Sequence, residues 1–68
     1  KISARNVLKG KVKRVVQGSV NSEITLELPG GVEIISVITK TSAKNLALAK
    51  GKEAYAIIKA TNVMIAVD

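Results

Sequence analysis

Three stretches of this 68-residue chain read as strands that are apolar on both faces, and a chain this short has little of its own with which to cover them. In residues 32–39, Ile34 and Ile38 oppose Ile35 and Val37; in residues 52–60, Ala54, Ala56 and Ile58 oppose Tyr55 and Ile57. In residues 62–67, Val63, Ile65 and Val67 oppose Met64 and Ala66. Side chains alternate across a strand, so each stretch presents an apolar surface on two sides. Exposed in a monomer, the outer surfaces would exceed what soluble monomers tolerate. Burial against further copies of the chain is the economical solution.

Size argues the same way. A single domain is the most that 68 residues can form, and one this small buries only about 60% of the surface its unfolded chain exposes. Disulfides, a structural metal or self-association offset such a thin core. The chain has no Cys and no His, which removes disulfides and the common zinc and copper sites. Self-association remains, and a homo-oligomer is expected.

Nine Val, eight Ile, five Leu and eight Ala supply nearly all the apolar content, with one Tyr and no Phe or Trp. Stiff, branched side chains favour pleated surfaces, so the fold class is all-β. Residues 6–16 form the first predicted strand, with Lys9, Lys11 and Lys13 on one face and Leu8, Gly10 and Val12 on the other. The alternation breaks at Arg14-Val15-Val16, which predicts a bulge. After a turn at Gln17-Gly18-Ser19, Val20, Ser22, Ile24, Leu26 and Leu28 face the core while Asn21, Glu23, Thr25 and Glu27 face water. Pro29-Gly30-Gly31 ends that strand. Thr41 or Ser42 can cap a short helix over residues 43–48, whose Ala43, Leu46 and Ala47 would plug a barrel end. Five strands with one helix predict an open, OB-like barrel.

Six of the eleven cations fall in the first fourteen residues, and the first acid is Glu23. A basic edge of this kind attracts anions. Catalysis is not expected: neither His nor Cys is present, and the few carboxylates are scattered. Donors are plentiful instead. Ser3-Ala4-Arg5-Asn6 and Lys59-Ala60-Thr61-Asn62 each combine a cation, a hydroxyl, a side-chain amide and backbone N–H groups at a strand end. Such groups can replace the water around a small dianion with charge-assisted hydrogen bonds. They serve equally well as turn residues and solvated cations. No signal-like segment or apolar span is present, so a cytoplasmic protein with no membrane partner is expected.

The same segments carry a family likeness. Ser3-Ala4-Arg5-Asn6 followed by Leu8-Lys9-Gly10, Gly18-Ser19-Val20-Asn21-Ser22-Glu23, and Ala56-Ile57-Ile58-Lys59-Ala60-Thr61-Asn62-Val63-Met64 resemble the motifs of the molbindins, the free-standing form of the Mop domain. The likeness spans residues 1–68 as a single Mop domain. It implies an OB-like barrel, strand-exchanged dimers assembling as a trimer of dimers into a hexamer, and molybdate or tungstate bound at subunit interfaces without direct protein ligands to the metal. It implies no catalytic cofactor. Its main site would use Ser3, Arg5, Thr39, Lys59 and the backbone of Ala4 and Ala60. Relatives often carry Ser at the position of Ala60, so one hydroxyl is missing here or Thr61 supplies it. A second site class would lie near Val20, Asn21 and Ser22. No helix-turn-helix or ATPase segment accompanies these residues, which favours an oxyanion buffer or store. The rival is a single-stranded nucleic-acid module; with Tyr55 the one aromatic, base stacking is largely closed to it, and no nucleic-acid partner is expected.

Overall fold

A computed structural model describes residues 6–68. Four strands form one antiparallel sheet in the order β3-β2-β1-β4: β1 Asn6–Gln17, β2 Asn21–Glu27, β3 Glu33–Thr39 and β4 Glu53–Ile58. The long β1 organises it, pairing with β4 from Asn6↔Ile58 to Lys11↔Glu53 and with β2 from Lys11↔Glu27 to Gln17↔Ser22. The predicted bulge is present, immediately before the Arg14-Val15-Val16 stretch where the sequence pattern placed it. The β1–β2 register shifts between Val12 and Arg14, leaving Lys13 as the extra residue. That slip turns Val12 and Val15, three positions apart, onto the same inner face.

The core is small. Val12, Ile24 and Leu26 are buried, and Val15, Leu28, Ile38, Leu48, Ala54 and Ala56 pack partly buried against them. Gly10 sits where β4 and β2 exchange places along β1, and a Cβ there would stand 2.4 Å from the Glu27 carbonyl oxygen. Only a hydrogen in place of the side chain allows the two chains to pass so closely. The β2–β3 turn runs through Gly30 (φ 93°) and Gly31 (φ 91°), closed by Leu28 N–H donating to Val32 O at 2.7 Å.

Two expectations change. Thr25, assigned to the wet face, is 1% exposed. It lies on an interior strand, opposite Arg14 on one side and Ile35 on the other, between longer side chains. The helix α1 spans Lys40–Asn45 rather than residues 43–48. Its cap is Thr39, the last residue of β3, already extended at φ −67° and ψ 152°, whose Oγ1 accepts from Ser42 N–H at 3.0 Å. Ala43 and Leu48, not Leu46 and Ala47, turn inward from this segment.

The fifth strand, expected over residues 62–67, does not form within the chain. A 3₁₀ turn, η1 Ala60–Asn62, follows β4, and residues 63–68 continue with no ladder partner. The alternating aliphatics supply strand propensity, but a strand exists only where another edge receives its N–H and C=O groups. The free edges of β3 and β4 curl toward each other instead and flank a cavity of about 310 Å³, lined by Ile34, Ile38, Leu48, Ala54, Ala56 and Ile58 among others. Among the described residues, no helix is long and apolar enough to cross a membrane.

Candidate functional site

Lys59, Ala60 and Thr61 follow directly on β4. Lys59 is extended (φ −64°, ψ 138°), and the turn after it is closed by Asn62 N–H to Lys59 O at 2.9 Å and Val63 N–H to Ala60 O at 3.3 Å. The N–H groups of Ala60 and Thr61 stand ahead of those two bonds, as the first donors of any helical turn do. Lys59, Ala60 and Thr61 are all exposed. The last rung of the β1–β4 ladder is Asn6↔Ile58, so Asn6 stands opposite the residue that precedes Lys59. Asn6 adds a side-chain bond there, Nδ2 to Ile58 O at 3.2 Å. Ser3, Ala4 and Arg5 lie outside the described residues.

Thr39 is not beside Lys59. It pairs with Asn21, and Gln17 pairs with Ser22, so Thr39 sits by the far end of β1 from Asn6 and on the opposite edge of the sheet. Its hydroxyl is engaged, accepting from Ser42 N–H and donating to Ser42 Oγ at 2.8 Å. Ser42 therefore shares any polar surface Thr39 makes, a partnership the sequence signals only through the cap spacing.

The three residues of the second candidate site separate. Val20 is exposed and lines an open pocket with Ser19, Lys40, Thr41 and Lys44; Asn21 is exposed at the start of β2. Ser22 is fully buried, with no hydrogen-bond partner for its Oγ. Its side chain belongs to the interior, and the cations beside Val20 come from α1. Lys40 and Lys44, four apart on a helix, share a face. Lys40 N–H also donates to Val20 O at 2.8 Å, which holds the two segments together. Neither lysine belongs to a motif that singles it out in the sequence.

Elsewhere, two of β1's four cations are matched by acids. Lys9 lies 3.5 Å from Glu53 and 6.0 Å from the centre of the ring of Tyr55, the chain's one aromatic residue. Lys13 bonds Glu33; that hydrogen bond, then its charge, raises the Lys13 pKa and lowers that of Glu33. Among the described residues, no three acids gather where a metal ion could be held.

The TOBE domain matches residues 2–65, nearly the whole chain. This chain belongs to the TOBE-domain family. A relative from Haemophilus influenzae, described as a probable molybdenum-pterin-binding protein, is 52% identical over 68 residues, spanning 100% of this TOBE chain and 99% of its own length. MopII from Clostridium pasteurianum, in an apo form, superposes with a TM-score of 0.92 at 45% identity, covering 98% of this chain and 100% of its own. The cytoplasmic molybdate-binding protein ModG, solved with molybdate bound, gives 0.91 at 50% identity over 94% of this chain and 45% of its own. The resemblance to the molbindins therefore holds in sequence and in fold. These relatives are described as binding proteins rather than enzymes.

Proposed function

We propose that this TOBE chain binds molybdate or tungstate, without catalysis, in pockets built where copies of the chain meet, and that it buffers or stores the oxyanion. The observation that carries this reading is the rung Asn6↔Ile58, which sets the last residue of one donor-rich motif against the residue that precedes the other, while Thr39 lies at the sheet's other end. A site drawing on Thr39 and Lys59 together then needs Thr39 from another copy. Arg5 and Lys59 would supply charge, Ser3 and Thr39 hydroxyls, and Ala4 and Ala60 backbone N–H groups, with Thr61 beside them.

The physics of the guest fits that donor set. Burying a dianion without partners is prohibitively costly, so each oxygen must receive donors. A cage of donors alone leaves the O–H of a protonated phosphate without an acceptor. Sulfate has the same charge and fewer ångströms, so cavity size must exclude it.

Assembly has support of its own. Val7, Ile35, Val37, Tyr55 and Ile57 are more than half exposed on the outer faces of the sheet. The unpaired aliphatic residues 63–67 match the free edges of β3 and β4, as a strand exchanged between copies would. The likeness to molbindins extends this to a hexamer of three such dimers.

Isothermal calorimetry with molybdate, tungstate, sulfate and phosphate tests the reading. Heat with the first two and none with the others is expected, flat between about pH 6 and 8 because the chain has no His or Cys. Because copies would share the site, molybdate should also strengthen assembly in native mass spectrometry. No heat with molybdate ends the reading.

A further inference from the structure

We propose that Asn6 is a positioning residue: its side-chain amide aims the 59–62 turn at the oxyanion, an inference that rests on the function proposed above. Nothing else among the described residues orients that turn. η1 has no side-chain cap and no buried residue, and one of its two closing bonds is long at 3.3 Å. Its direction is therefore inherited from where β4 stops. β4 stops at Ile58, and the Ile58 carbonyl belongs to the same rigid peptide plane as the Lys59 N–H. Asn6 Nδ2 donates to that carbonyl at 3.2 Å from a half-buried side chain. A donor fixed on one side of the plane sets the angle at which Lys59 leaves the sheet, and with it the N–H groups of Ala60 and Thr61. The residue type follows from the task. Asp offers no donor to a carbonyl, Ala has no reach, and Gln carries the amide one methylene too far.

Two measurements on Asn6→Ala, each against the wild-type protein, test this. In the ligand-free protein, amide hydrogen exchange at Asn62 and Val63, which report the turn's two bonds, should rise about tenfold, with Ile24 and Leu26 in the core unchanged. Molybdate affinity by calorimetry should fall about 10- to 100-fold, the range seen when a partner that orients a binding group is removed. Unchanged exchange at Asn62 and Val63 overturns the proposal even if affinity falls, since Asn6 would then act directly on the anion. Exchange rising equally in β2 overturns it as well, because Asn6 would then merely support the sheet. Wild-type binding with unaltered affinity in the variant sinks this inference alone. Absence of wild-type binding sinks the proposed function and this inference with it. If Asn6→Ala does not fold, Asn6→Asp keeps the volume, removes the donor and carries the same exchange comparison.

Discussion

The β1–β2 hairpin and the two free edges, β3 and β4, use the same aliphatic alphabet and finish in opposite environments. Within the hairpin, Val12, Ile24 and Leu26 are buried, and backbone donors and acceptors are paired along both strands. At the edges, Ile35 and Val37 of β3 and Tyr55 and Ile57 of β4 face outward exposed, and residues 63–67 are exposed without a ladder. Propensity cannot explain the difference, because Val and Ile dominate both regions. Partner supply can: the hairpin meets its complement inside one chain, and the edges do not. If that division is real, damage to the hairpin should unfold the chain, and damage to the edge elements should disassemble it.

Gly10→Ala attacks the hairpin where β1 passes closest to β2. The added methyl would press on the Glu27 carbonyl, a backbone atom that cannot swing aside. Overpacking of this kind costs about 1–3 kcal/mol, a large share of a small domain's stability. Thermal denaturation should show no cooperative transition near the wild-type midpoint, with or without molybdate. A midpoint within a few degrees of wild type would mean that the strands can part at Gly10, and the hairpin would no longer be the rigid half.

Ile65→Asp attacks the other half. Ile65 is 86% exposed in the chain, so the change should leave the hairpin's unfolding by urea untouched. If the 63–67 segment docks on another copy's edge, an unpaired carboxylate there should weaken association by more than about 100-fold. Sedimentation velocity reads the result. An assembly as tight as wild type would show that another surface holds the copies together and that the β3–β4 edges await something else.

The same contrast explains what the sequence made legible. Alternation located β1 and β2 and a bulge next to the one observed, because core-facing aliphatics at fixed spacing report a partner inside the chain, whereas β3 and β4 were legible as aliphatic runs apolar on both faces. It misplaced Thr25, since a small polar residue on an interior strand can be buried by its neighbours' bulk. It misplaced the helix start, because Thr39 serves as strand end and cap together. The 62–67 segment read as a strand for sound local reasons, yet pairing is a property of two segments. Of the candidate site, Lys59, Ala60 and Thr61 were visible as a polar break in an aliphatic run. That Thr39 lies apart from them follows only from topology, and the alliance of Lys40 and Lys44 with Val20 only from the bond between the segments.

Ala47→Gly should strengthen the connection between the two edge strands, β3 and β4. Leu48 N–H bonds Ala43 O and Ala47 N–H bonds Lys44 O, a Schellman ending that puts Ala47 at φ 54°. Lys52 Nζ reinforces it from Leu46 O at 2.6 Å. An L-residue pays a steric penalty in that left-handed conformation and Gly does not, so the variant should gain about 0.5–1 kcal/mol. Urea denaturation with an unchanged slope checks it. A loss of stability would mean that glycine's extra freedom in the unfolded chain outweighs the strain relieved.

The smallest effect belongs to the Lys13–Glu33 pair, which spans the division itself. Lys13 is the bulge residue of β1, and Glu33 opens β3, so the ion pair reaches across β2 from the closed half to the free edge. Both groups are partly exposed, and salt screens such pairs. The hydrogen bond to Lys13, and then its charge, lower the Glu33 pKa; that contribution is present above the ordinary carboxylate value and fades as pH falls through the lowered one. The Lys13 pKa is raised by the same bond and charge, so its contribution is present below the ordinary lysine value and fades as pH rises through the raised one. The pair should therefore support the fold across a plateau from roughly pH 4.3 to 10.4. Urea midpoints of Glu33→Gln and wild type should differ slightly on that plateau, converge below it, and differ less at high salt. A difference that grows toward acid pH would place Glu33 beside a group other than Lys13 and remove the ionic tie between β1 and β3.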